Sequence, residues 1–199
     1  EHFQKLAAAE PLPTAANADI VSVDAHTCLL FADGLRYDIA QPLVDALRAR
    51  GLEVEAGWRW AAAPTVTATA KFAVSPVVGK LTGSELGEGF NAEVKENGAK
   101  CDGYNFKKLM KEAGYDVLDA GQYGSPAKPD ARAWTEFGQI DHLGHEMGIG
   151  MAAQVQPQTD LLMERIANLL EAGWQQVRVV TDHGWLLMPG DLPKVELTK

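Results

Sequence analysis

The chain has 199 residues, 46% of them hydrophobic and 23% charged, with a formal net charge of −9. That balance belongs to one globular domain with a substantial core and excludes a chain too polar to fold. The negative charge excludes a broad basic surface that holds nucleic acid by phosphate neutralisation alone. Nucleic acid stays open as a substrate if dications or another chain supply the positive field.

Residues 1–19 mix Ala, Pro and Asn without a period and are expected to form a peripheral helix or linker, leaving 20–199 as the core. A short apolar run, Thr27 to Ala32, stops at Asp33-Gly34 and is expected to be a strand. Ile39, Leu43, Ala46 and Leu47 then keep helical spacing as far as Gly51, which suits a C-terminal cap. Pro42 must lie in the first turn or make a kink. Leu52 to Trp58 alternates like a strand and would complete a right-handed, parallel β-α-β unit.

Pro64 can open a turn before a short helix carrying Thr67 to Val74. If Thr67 stands at that helix's start, free backbone N–H groups and the helix dipole favour a phosphoryl group beside its hydroxyl. Residues 79–131 have lysines at 80, 95, 100, 107 and 108, frequent glycines and no long apolar strand. They are expected to be an inserted cap over the catalytic face, with a helix near Asn105–Ala113 and a strand near Asp116–Leu118. A strand near Ala133–Ile140 would end at Asp141. Leu161, Leu162, Ile166, Leu169 and Leu170 would share one helix face before Gly173, ahead of a strand from Val177 to Thr181 that ends at Asp182-His183-Gly184. The expected fold is α/β, with a mostly parallel central sheet and helices on both faces.

No apolar run approaches the roughly 20 residues that span a bilayer, and no signal-peptide pattern opens the chain. A cytoplasmic protein without a membrane partner is expected. The two cysteines, Cys28 and Cys101, are expected to be free thiols. A start at Glu1 and an end shortly after a metal-type motif suggest a piece of a longer protein.

Two strand ends thus deliver carboxylates, Asp33 and Asp182, to the edge where open α/β sheets place their ligands. Asp141 and His145 stand four apart, so on a helix they share a face and can grip one ion. With Asp182-His183 and the hydroxyl-rich 65–69 stretch they supply what a two-metal hydrolase of phosphate esters needs. Imidazole beside carboxylate favours zinc, with manganese as the alternative. Bland readings stand beside these: a strand-end Asp can cap a turn, and Thr67 can be an ordinary helix cap. Thr69 is the reserve nucleophile, and Thr65 a capping hydroxyl. Arg36 can reach phosphate or pair with Asp38, and Lys71, one turn after Thr67, can face phosphate or solvent. His142 and Glu146 are read as structural, and the five tryptophans as core and rim packing.

The stretches Phe31-Ala-Asp-Gly-Leu-Arg-Tyr-Asp38, Pro64-Thr-Val-Thr-Ala-Thr-Ala70, Asp141-His-Leu-Gly-His145 and Thr181-Asp-His-Gly-Trp-Leu-Leu-Met-Pro-Gly190 resemble the PglZ domain. That family belongs to the alkaline phosphatase superfamily and is found in BREX phage-defence systems. The resemblance runs in order from about Thr27 to the end, and its most specific part is Thr181 to Lys194. It implies one ion on Asp33, Thr67, Asp182 and His183, and a second on Asp141 and His145 with a further C-terminal His. That last ligand has no evident counterpart, so the second site is expected to be incomplete.

The implied activity is a metal-dependent phosphohydrolase with Thr67 as nucleophile. It would be a phosphodiesterase or nuclease, acting on phosphodiesters with DNA among the candidates, and would meet other BREX proteins. The alternatives are a quiet scaffold for those proteins, or a phosphomonoesterase or phosphomutase.

Overall fold

A computed structural model describes residues 23–59, 61–62, 65–83 and 92–185. The expected linker over 1–19, the turn at Pro64, Trp60 and the motif from Leu186 onward lie outside the described residues.

The sheet is built around β1 (Thr27–Phe31), every residue of which is buried. β5 (Arg132–Glu136) lies along one edge of β1 and β6 (Gln176–Val180) along the other, while β4 (Asp116–Leu118) extends the sheet beyond β5. All three pairings are parallel. Side chains alternate across β1. Cys28 and Leu30 join one apolar cluster with Ile39, Leu43 and Leu47 of α1 (Tyr37–Ala49) and Leu162, Ile166 and Leu169 of α5 (Val155–Glu171). Leu29 and Phe31 join the other cluster, with Trp134 of β5 and Phe106, Leu109 and Met110 of α3 (Gly103–Glu112). Helices therefore cover both faces, and the fold is α/β with a parallel central sheet.

Several local expectations hold. α1 buries the 39, 43, 47 stripe, and Gly51 takes φ +83 just past its end. Pro42, however, stands inside the helix beyond the first turn. α2 (Thr67–Ala73) begins at Thr67, with Val66 rather than Thr65 in the capping position and no side-chain cap. Asp102 caps α3 through the Asn105 amide at 2.9 Å.

Others are corrected. Residues 52–58 form no strand, because both edges of β1 are already paired with β5 and β6. Leu52 and Val54 lie half-buried on the core's margin, which produces the alternation without a ladder, and the Val54 carbonyl accepts from Arg48. The strand expected near 133–140 ends at Glu136, since Gly138 turns the chain with φ +100 and Ile140 begins α4 (Ile140–Met147). Asp141 therefore lies in a helix's first turn rather than at a strand end. Leu161 is 46% exposed, outside the buried stripe of α5, and Trp58 is 70% exposed, outside the core. The inserted cap is corrected for its second half. β4 pairs within the sheet and α3 buries an apolar stripe against it, so both are parts of the core. Ahead of them, β2 (Leu81–Gly83) and β3 (Ala92–Val94) form a separate antiparallel hairpin. Among the described residues no helix is long and apolar enough to cross a membrane.

Cys28 and Cys101 are free, both buried, and belong to opposite clusters. Burial pushes the Cys28 thiol up to about 12 and the Cys101 thiol up to about 11. Ellman's reagent at pH 8 should therefore find almost no reactive thiol in the native protein and both thiols after unfolding in guanidinium. Rapid labelling of either cysteine in the native state would contradict this packing.

Candidate functional site

The carboxyl ends of β1, β5 and β6 are level, because Phe31 registers with both Glu136 and Val180. Asp33 and Asp182 each follow two residues beyond that line, so neighbouring parallel strands release their acids side by side. The two loops are then tied together. Ala32 N donates to the Val180 carbonyl at 2.9 Å, Leu35 N to Thr181 Oγ1 at 3.1 Å, and Trp185 Nε1 to the Gly34 carbonyl at 3.0 Å. Gly34 takes φ +66, and a Cβ there would stand 3.0 Å from the Asp141 Cβ. Only glycine lets the loop after β1 turn in this way while lying against α4.

Thr67 reaches the same place from α2. Its Oγ1 lies 3.0 Å from His183 Nε2 and 3.3 Å from Asp33 Oδ1. α2 carries no side-chain cap, so tertiary contacts hold it. Phe72 packs edge-on against Phe106, Phe106 against Trp134, and Trp134 stacks on Phe31 of β1. The hydroxyl is thus braced to the same strand that delivers Asp33.

His183 Nε2 sits 3.3 Å from Asp33 Oδ1, 3.8 Å from Asp141 Oδ1 and 3.7 Å from Asp182 Oδ2. Its Nδ1 lies 3.2 Å from the Gly184 carbonyl, which accepts the Nδ1 proton, and Nε2 faces the acids. Asp33, Asp141 and His183 each bring one ligand atom within 4.8 Å of the others. Asp141 faces both ways, with its second oxygen 3.4 Å from His145 Nε2.

Asp182 is the most confined member, its side chain at 0% exposure. Oδ1 accepts from the amides of Gly34, at 3.4 Å, and His183, at 3.0 Å, while Oδ2 has no hydrogen-bond partner. Burial, and then the neighbouring Asp33 charge, push its carboxyl up to about 6. For Asp33 burial acts in the same direction but is outweighed by the hydrogen bond and charge of His183 and by the Thr67 hydroxyl, which leave it below the ordinary value. Asp33 therefore ionises before Asp182, which carries its charge only above about pH 6. The Asp33 hydrogen bond, against the opposing effect of burial, raises His183 to about 9.

The structure thus brings together Asp33, Thr67, Asp141, Asp182 and His183. The close donor set differs from the expected single-ion set, with Asp141 in the place given to Asp182. His145 meets Asp141 but is 80% exposed and stands outside the close set, on its rim. His142 pairs with Glu146 at 3.4 Å on another side of α4. Arg36 grips Asp38 through two nitrogens, donates to the Trp185 carbonyl at 3.0 Å and lies over the Trp185 ring. Lys71 pairs with Glu136 at 2.7 Å.

Glu136 is the site-facing residue that sequence reasoning missed. It is an acid at the end of β5, the same signal as Asp33 and Asp182, hidden by drawing that strand four residues too long. It stands where two clefts meet. One of about 450 Å³ opens beside Asp33 between Phe31, Phe137, Gln139 and Gln158, and one of about 280 Å³ is lined by Lys71, Phe106, Lys107 and Trp134.

No family model matches the chain, and no curated protein and no solved structure matches it.

Asp182 and His183 set the pH response. Asp182 binds its proton more tightly folded than unfolded, so stability falls as pH rises from about 3.8 to about 6. His183 acts in the same sense between 6.5 and about 9. Above pH 6.5 in chelator, Asp182→Asn should therefore raise the thermal midpoint by a few degrees, equivalent to about 1–2 kcal/mol. That gain should vanish near pH 4, and a lower midpoint at pH 7.5 would contradict an uncompensated buried charge.

Proposed function

We propose that the chain is a metal-dependent phosphohydrolase domain of the PglZ kind, cleaving phosphodiesters through Thr67. The observation that carries this reading is the Thr67 hydroxyl, held 3.0 Å from His183 Nε2 and 3.3 Å from Asp33 at the edge of a three-donor cluster. The resemblance of the four motifs to the PglZ domain supports it. So does the donor chemistry: a buried carboxylate oxygen without a partner, and an imidazole whose Nδ1 is engaged by a backbone carbonyl, suit a divalent cation. Asp33, Asp141 and His183 would hold it, with Asp182 beside them. Mixed oxygen and nitrogen donors favour zinc over calcium, with manganese as the alternative. His145 with Asp141 would form the partial second site.

When bound, such a cation supplies Lewis-acid charge to phosphoryl oxygens and favours the ionised form of a nearby hydroxyl. The chain's own residues do the positioning. Asp33 accepts the Thr67 hydrogen bond and fixes Oγ1 at the edge of the cluster. Oγ1 attacks phosphorus, an O–P bond forms, and the bond to the leaving oxygen breaks, releasing an alcohol that takes up the proton. Water then cleaves the Thr67 ester, returning the hydroxyl and a phosphate monoester. A polymer or nucleotide would continue into the clefts at Glu136, one of which opens beside Asp33, with DNA among the substrates and other BREX proteins as partners in a cytoplasmic setting.

A bis(p-nitrophenyl) phosphate assay with zinc or manganese tests this, run against p-nitrophenyl phosphate. Diester turnover is expected, abolished by chelator and lowered at least about a thousandfold by Thr67→Ala. Turnover that survives Thr67→Ala, or none in any metal, would leave a scaffold in place of the enzyme.

A further inference from the structure

We infer that Glu136 determines the choice between phosphodiester and phosphomonoester substrates, by holding the Lys71 ammonium away from the phosphoryl position beside Thr67. This rests on the hydrolase reading of the site and goes beyond it, since it assigns specificity to a residue outside the cluster.

A monoester carries a second negative charge near neutrality, and recognising it takes a cation free to meet it. Among the described residues, Arg36 and Lys71 are cations near the cluster. Arg36 is bound to both oxygens of Asp38 and to the Trp185 carbonyl, and a Cβ on Gly184 would come within 2.9 Å of its stem, so it is fixed in place. Lys71 lies one helical turn after Thr67, on the same face of α2. Its ammonium is turned instead to Glu136 Oε2, at 2.7 Å, over the rings of Phe31 and Phe106. The pairing is not the casual kind found on open surface. Lys71 has only 19% of its side chain exposed, and the other Glu136 oxygen accepts from Trp134 Nε1 at 3.2 Å, which orients the carboxylate. Glu136 also lines the cleft that opens at Asp33, so its charge stands where an incoming dianion would pass. A diester monoanion with neutral substituents avoids both the missing cation and this added repulsion.

Glu136→Gln keeps the shape and the acceptor for Trp134 while removing the charge that holds Lys71. The experiment measures kcat/KM for bis(p-nitrophenyl) phosphate and p-nitrophenyl phosphate in the zinc-loaded full chain, together with inhibition of diester turnover by inorganic phosphate. In Glu136→Gln the monoester-to-diester ratio should rise at least about tenfold, and inorganic phosphate should inhibit at correspondingly lower concentration. Adding Lys71→Met to that variant should remove most of both gains, which a loosened fold would not do. An unmoved ratio, equal loss on both substrates, or a gain that Lys71→Met leaves undiminished overturns the assignment while leaving the hydrolase reading intact. Absence of Thr67-dependent diester turnover in the parent chain would instead overturn the hydrolase reading and this assignment together.

Discussion

A carboxylate without exposed surface and with one oxygen left without a donor is costly to fold around, and Asp182 is such a group. Two backbone amides satisfy Oδ1, one from its own successor and one from Gly34 on the neighbouring strand's loop. That arrangement ties the ends of β1 and β6 together. It also leaves Oδ2 facing His183 and Asp33 at a range where charge matters and no hydrogen bond forms. The rest of the site is arranged about this constraint. Asp33 stays ionised because His183 and Thr67 donate to it, and Gly34 lets α4 bring Asp141 close enough to complete the set.

Rigidity comes from the sheet and from aromatic packing beneath it. β1 is paired on both edges and buried on both faces, so the acids that follow β1 and β6 have little freedom. The column from Phe72 through Phe106 and Trp134 to Phe31 fixes α2, an otherwise short and uncapped helix, at the height where its first residue meets His183. On the proposed reading this is preorganisation: the nucleophile and its neighbours are held before substrate arrives. Around it Arg36 is paired with Asp38 and Lys71 with Glu136, so among the described residues neither cation is committed to an anion at the site.

Much of the site was legible because its signals are local. An apolar run broken by Asp-Gly, or by Asp-His-Gly, marks a strand that must end, and its first polar residues must emerge at the sheet's edge. Asp141 and His145 needed only the helical period. The segment 52–58 misled because alternation reports one-sided burial and says nothing of a ladder partner; the places beside β1 go to strands a hundred residues further on. Glu136 escaped for the opposite reason. Gly138 ends β5 early, a backbone event that an apolar Ile140 masked. Nor could spacing show that a three-residue strand, β4, joins the central sheet, since that pairing depends on the burial of α3. Asp141 also sits nearer His183 than helical geometry alone implies, because Gly34 removes the one atom that would keep the loop and α4 apart.

The central claim is that the carboxyl edge of this sheet is a seat for a cation built on His183 and the acids around it. X-ray absorption on the zinc-loaded chain tests it directly. The account predicts a first shell of nitrogen and oxygen only, with an imidazole signature that disappears in His183→Ala. A shell containing sulfur, or one that is unchanged by that substitution, would place the ion elsewhere and contradict the account.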